Sequence, residues 1–166
     1  TCPHYYWLRE PFGNRVEMTV SEEYMMSLIG HKFPGGKRTI AHWENFLLTD
    51  CTTSHQLTDG LAHPIALFHI PIQGVQTSIA ELFELGKVKD VGSVGLDGYD
   101  WEYFQPLREE VEYMCEGEII EVERRLTESG KVYDRFVFSI QLFDEENQPV
   151  AKATSFWRLR RGRVGD

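Results

Sequence analysis

Two histidines six residues apart, His63 and His69, stand just ahead of an apolar stretch that opens at Pro71. Imidazole titrates near neutrality, so either ring can take and give a proton under ordinary conditions. Three residues beyond Pro71 lies Gly74, which the spacing places inside the first turn of a helix. There an amide with no side chain over it sits at the positive end of the helix dipole, and can hold charge developing on a carbonyl oxygen. Gln73 is a second donor to that oxygen, or a helix cap. Either histidine is a candidate acid/base or substrate contact, the alternative being a capping or packing residue. Arg38 with His42 is a candidate anchor for a carboxylate, which a guanidinium pairs at two points, the alternative being a surface arginine. Asp59 beside Gly60 either assists His63 or makes a turn. The aromatic residues Trp43, Phe68 and Trp101 are core candidates, of which one or more line an apolar pocket.

These groups need elements to hold them. From Pro71 to Gly86, the residues Ile72, Val75, Ile79, Leu82 and Phe83 recur at three- and four-residue intervals, which predicts one helix of about four turns. Pro71 suits its first turn and Gly86 its stop. Ahead of it, Arg15 to Val20 reads as a strand, Ser21 as the N-cap of a helix from Glu22 to about Ile29, and Phe33 to Lys37 as a loop. Thr39 to Cys51 reads as a buried helical or extended segment with His42 near its start, and Thr52 to Gly60 as polar surface chain. The first 14 residues, with Tyr5, Tyr6, Trp7 and Phe12 among prolines, form an arm packed over the core or a neighbouring subunit. After Gly86 the pattern changes to strands at Val91 to Leu96, Trp101 to Phe104 and Val111 to Leu126. A change of phase there predicts a bulge at Gly117. Val132 to Leu142 follows, with Val132, Phe136, Phe138, Ile140 and Leu142 on one face, and Val150 to Arg160 is the last strand. One helix must bury its apolar face, and the apolar face of a curled antiparallel sheet is its partner in an α+β domain spanning residues 1–166.

Composition narrows the function classes. A formal charge of −9 argues against broad binding of nucleic acid, since phosphate contacts need a basic face. The basic residues Arg158, Arg160, Arg161 and Arg163 cluster at the end, where a solvated strand end is favoured over a docking patch for an acidic carrier. No apolar run is long enough to span a bilayer and no basic-then-apolar leader opens the sequence, so a cytoplasmic protein is expected. Cys2, Cys51 and Cys115 are odd in number and widely separated, which fits a reducing compartment and offers no metal site.

The order of these elements resembles the hot-dog fold superfamily, in which a sheet wraps a central helix. Ile70-Pro71-Ile72-Gln73-Gly74 and the apolar run to Leu85 match its central helix with an early glycine. Phe104-Gln105-Pro106-Leu107-Arg108, Gly130 to Leu142, and Asn147 to Ala151 match the following strands. The pattern is most similar to the enoyl-thioester hydratase and dehydratase branch, over roughly residues 60 to 160. The R-specific hydratases of that branch carry Asp-x-Asn-Pro-x-His to activate water; the nearest stretch here, Asp59-Gly60-Leu61-Ala62-His63-Pro64, lacks the Asn-Pro and is one residue short. The short His63-Pro64 segment instead looks like that of a bacterial subgroup, linked to β-amino acid and isonitrile biosynthesis, that adds the amine of glycine to an enoyl thioester. The resemblance implies a lyase acting on a short enoyl thioester, carried by CoA or an acyl carrier protein. His63 would be its acid/base, with no metal or organic cofactor. Gly74, Gln73, His69, Phe68, Arg38 and Trp43 would contact substrate, and the site would lie in a homodimer. A thioester hydrolase, or a catalytically silent acyl-binding domain, is the alternative on the same scaffold.

Overall fold

In the computed structural model the described residues are 6–9, 15–18 and 20–163. Tyr6–Arg9 (β1) and Arg15–Met18 (β2) pair antiparallel as a two-stranded ribbon. The expected packing of an aromatic arm lies outside the described residues. Ser21 caps Glu22–Met26 (α1), its hydroxyl accepting from Tyr24 N–H at 3.1 Å, which offsets one of the free amides of the first turn. Next come Gly36–Thr39 (β3), which begins at the end of the expected loop, and His42–Cys51 (α2). A 3₁₀ segment, Pro64–Phe68, leads to the helices Ile70–Gly74 (α3) and Ile79–Leu85 (α4). The strands Val94–Tyr103 (β4), Glu112–Leu126 (β5), Lys131–Phe143 (β6) and Pro149–Arg163 (β7) complete the chain.

One antiparallel sheet runs in the order β3-β5-β6-β7-β4. Alternation along β5, β6 and β7 turns Cys115, Ile119, Phe136, Phe138, Leu142 and Trp157 inward, where Ile70, Val75 and Leu82 join them in one core. Burying each large apolar side chain of this kind stabilises the fold by roughly 1.5–3 kcal/mol.

The helical region differs from the expected single helix. It breaks after Gly74, Gln76 takes a left-handed backbone (φ 57°), and a new helix starts at Ser78. The cause is local. Ser78 Oγ accepts from Glu81 N–H at 3.1 Å, while Glu81 Oε2 accepts from Ser78 N–H at 2.7 Å, a reciprocal capping box that ends one helix and begins another. Gly74 therefore closes a short helix rather than opening a long one. A Cβ there would overlap Cys115 Sγ and lie 2.9 Å from Arg38 Cβ, so α3 approaches β3 and β5 only because position 74 lacks a side chain.

Two further expectations are corrected. The bulge in β5 falls between Ile119 and Glu121, leaving Ile120 outward; Gly117 is in regular register opposite Ile140. Gly117 is small because a Cβ would stand 2.9 Å from both Ile140 and Phe33. The terminal arginines are not one solvated cluster either. Arg158 pairs with Asp97, and Arg161 is internal, bound to Asp134 at 2.6 Å.

Asp134 is wholly buried and also accepts from Arg124 Nε at 2.7 Å, so two guanidiniums share one carboxylate. Burial pushes the Arg161 guanidinium down from its usual range, and Asp134 acts against that. Replacing Asp134 by Asn leaves two buried cations without their counter-charge. Urea unfolding of Asp134→Asn is expected to show a loss of about 3–5 kcal/mol, and a loss below about 1 kcal/mol would refute the assignment. Burial also pushes the Cys115 thiol up to about 12, with Arg38 pulling slightly the other way. Alkylation at pH 8 mapped by mass is therefore expected to modify the exposed Cys51 and to spare Cys115 until the chain unfolds.

Candidate functional site

The amphipathic logic of α2 is reversed. Glu44, Asn45 and Thr49 are buried, whereas Trp43, Phe46 and Leu47 are half or more exposed. Such a helix is held by polar bonds, and these bonds organise the residues around both histidines. Asn45 Nδ2 donates to Leu61 O at 3.3 Å and to Glu109 Oε2 at 3.0 Å. Asn45 Oδ1 accepts from His63 N–H at 2.8 Å. Hydrogen bonds from Asn45 and then His42 hold the Glu109 carboxyl below the usual carboxylate range.

His63 and His69 mark the two ends of the 3₁₀ segment. At a rise near 2 Å per residue they are separated by roughly 12 Å, so they serve different places. His63 is its N-cap, and His63 Nδ1 accepts from Ile65 N–H at 3.2 Å. Beside it is an open apolar depression of about 380 Å³, walled by Leu57, Leu61, Pro64, Tyr103 and Phe104. Asp59 is exposed in a turn with φ 60°, next to Gly60, which is the turn role.

At the other end, His69 Nε2 lies 3.6 Å from Glu44 Oε1. The same oxygen accepts from Arg38 Nη2 at 2.8 Å, and Arg38 Nε donates to Gln73 Oε1 at 3.2 Å. Arg38, Glu44, His69 and Gln73 thus form one cluster. His42, expected as the partner of Arg38, instead faces Glu109, its Nδ1 3.0 Å from Oε1. Trp43 is on the solvent side of α2 and is not among the residues of either apolar hollow. Gly74 is buried against the sheet at the end of α3, not at an open helix start.

Phe68, half exposed, does reach a hollow. With Leu67, Ile72, Tyr99, Phe138 and Trp157 it lines a narrow apolar crevice of about 50 Å³ between the helices and the concave face of the sheet. Ile72 and Ile79 also belong to an adjoining open groove of about 420 Å³, which continues along Gln73, Gln76, Thr77 and Ser78 where the helix breaks. The candidate site therefore runs from a narrow crevice, past the cluster at Gln73, to an open groove along the helix break. Glu44, singled out for no role in the sequence, is the residue that joins Arg38 to His69. Its signal was its company: the quartet His42-Trp43-Glu44-Asn45, which neither helical nor strand periodicity accommodates.

No known protein-family pattern matches this sequence, and no curated protein matches it. Solved structures do share its fold. The ChsH1-ChsH2 complex from Mycobacterium tuberculosis matches 87% of this chain and 93% of its own with a TM-score of 0.65 at 11% identity. A MaoC-like dehydratase from Phytophthora capsici matches over 89% of this chain and 51% of its own, with a TM-score of 0.59 and 15% identity. The monoamine oxidase regulatory protein from Archaeoglobus fulgius covers 80% of this chain and 90% of its own at a TM-score of 0.57 and 16% identity. A curled five-stranded antiparallel sheet around short helices, shared with these structures at such low identity, gives this chain the hot-dog fold.

Proposed function

We propose that this chain processes acyl thioesters, as a lyase that adds a nucleophile to the β-carbon of a short enoyl thioester or runs the reverse. The observation that carries the reading is the apolar crevice that opens into an open groove beside the cluster of Arg38, Glu44, His69 and Gln73. An acyl end in the crevice brings the thioester to the start of that groove. The CoA or carrier-protein arm then lies along Gln76, Thr77 and Ser78. An acyl-enzyme intermediate gains no support from the two described cysteines, because Cys115 is buried with its thiol pushed up to about 12 and Cys51 ends α2 at the surface.

The acyl position favours His69 for the proton transfer over His63, the residue preferred from the sequence. His63 is engaged as a cap at Nδ1 and borders the second hollow. Arg38 keeps donors beyond those given to Glu44 and Gln73, which supports a carboxylate on the incoming nucleophile and so the amine of glycine as one choice. The neighbours of similar fold include a 3R-hydroxyacyl-ACP dehydratase complex from Mycobacterium tuberculosis and an R-hydratase from Pseudomonas aeruginosa, in keeping with addition and elimination chemistry. A homodimer is part of the reading, since β4 is a ten-residue edge strand with exposed Leu96 and Tyr103.

Incubation with crotonyl-CoA, with and without glycine, is expected to give a β-adduct of water or of glycine by mass. Thiol release with no adduct would refute the lyase reading in favour of hydrolysis. His69→Ala is expected to lower turnover by about 10²–10⁴-fold and His63→Ala by less; the reverse order returns the proton transfer to His63. Light scattering at micromolar concentration is expected to give twice the chain mass, and a monomer would count against the dimer.

A further inference from the structure

Glu44 is 7% exposed and faces inward from α2. Its Oε1 is held by Arg38, but its Oε2 is buried and has no hydrogen-bond partner among the described residues. A buried carboxylate oxygen without a donor is one of the costlier arrangements a fold can carry. Stability does not call for it: glutamine is isosteric, would keep the acceptor for Arg38, and would remove the buried charge. The cost points to a donor that arrives with substrate. Glu44 also lies one side chain from the groove on two sides. Arg38 reaches Gln73 of the groove, and His69 directly follows Phe68 of the crevice. Side chains of Arg38 and His69 are 33% and 25% exposed, so the groups covering the carboxylate border solvent. Contacts of this kind tighten when substrate binds, and the present 3.6 Å from His69 Nε2 suits a pair that closes only then.

We propose that Glu44 is the base that takes the proton from the attacking nucleophile, a reading that rests on the lyase function above. The nucleophile X–H is water or a neutral primary amine, with its X–H directed at Oε2. Its electron pair forms the bond from X to the β-carbon, and the π pair of the Cα–Cβ double bond moves through the carbonyl to the thioester oxygen, giving an enolate. The proton of X passes to Glu44 Oε2. Glu44 then passes this proton to His69, which delivers it to the α-carbon as the enolate collapses, so that both groups end as they began. Arg38 keeps the carboxylate oriented by holding Oε1.

The test compares wild type, Glu44→Gln, Glu44→Asp and Glu44→Ala in the full chain, with crotonyl-CoA and either water or glycine. Glu44→Gln is expected to lower kcat by about 10²–10⁴-fold while KM for the thioester moves by less than about threefold. Its melting temperature is expected to stay close to that of wild type, because glutamine is isosteric and keeps the acceptor for Arg38. Glu44→Asp is expected to keep measurable turnover, and added formate to restore part of the activity of Glu44→Ala. Turnover of Glu44→Gln within about threefold of wild type overturns the proposal. Lost activity with a lowered melting temperature in Glu44→Gln, and no rescue of Glu44→Ala by formate, makes Glu44 structural and also overturns it. Wild type that forms no adduct defeats the lyase reading itself and this proposal with it, an outcome visible before any substitution is made.

Discussion

The structure hangs on one buried charge. Asp134 lies near the start of β6 with no solvent exposure, and it receives Arg124 from β5 and Arg161 from β7. One anion cannot neutralise two cations, so the remaining guanidinium donors turn to backbone carbonyls. Arg124 Nη2 donates to Val20 O at 3.1 Å, and Arg161 Nη2 to Gly86 O at 2.8 Å. These bonds tie the entry to α1 and the end of α4 to the central strands. The entry to α1 at Val20 and the seating of α4 are therefore tied to one ionic group, and α4 in turn forms one side of the groove. Its role is to specify which elements meet, since apolar packing alone would tolerate small slides of α4 along the sheet.

A second polar network does for α2 what apolar packing does elsewhere. Asn45 reaches Glu109, Leu61 and the amide of His63, so α2, the loop before β5 and the 3₁₀ segment are joined through one amide side chain. Because bonds of this kind are directional, they place Glu44 relative to His69 more narrowly than a set of interchangeable methyl contacts would. The exposed Trp43, Phe46 and Leu47 are the other side of the same arrangement. The inward face was given to polar groups, and the apolar ones were left to the surface.

Much of the sheet was legible in the sequence because alternation on β6 and β7 is strong and the turns at Ser129-Gly130 and Asn147 to Pro149 are well marked. What misled was phase and charge. The break at Gln76 preserves the three- and four-residue apolar spacing across both helices, so periodicity hides it; only Ser78 and Glu81, read together, announce a new start. Asp134 shares the inward face of β6 with Val132 and Phe136, but a charged residue there is readable as core only once Arg124 and Arg161 are known to be beside it. The site was legible in part. His69, Gln73, Arg38 and Phe68 were all singled out, yet their grouping depends on Glu44, which joins residues from α2, β3 and the chain around α3 across a fold that no local pattern encodes. His42 and Arg38 looked like partners by proximity in sequence, and the turn into α2 points them at different carboxylates.

The contact between Gly74 and Cys115 has a consequence for how this sequence can drift. The thiol occupies the space a Cβ at position 74 would need, so the two positions divide a single fixed volume between a helix and a strand. A larger residue at 74 is admissible only in a lineage that has first shrunk position 115, while growth at 115 meets a glycine that has nothing left to give up. Related sequences should therefore vary at these sites in an ordered, paired way, and the direction of that order records which element was free to move.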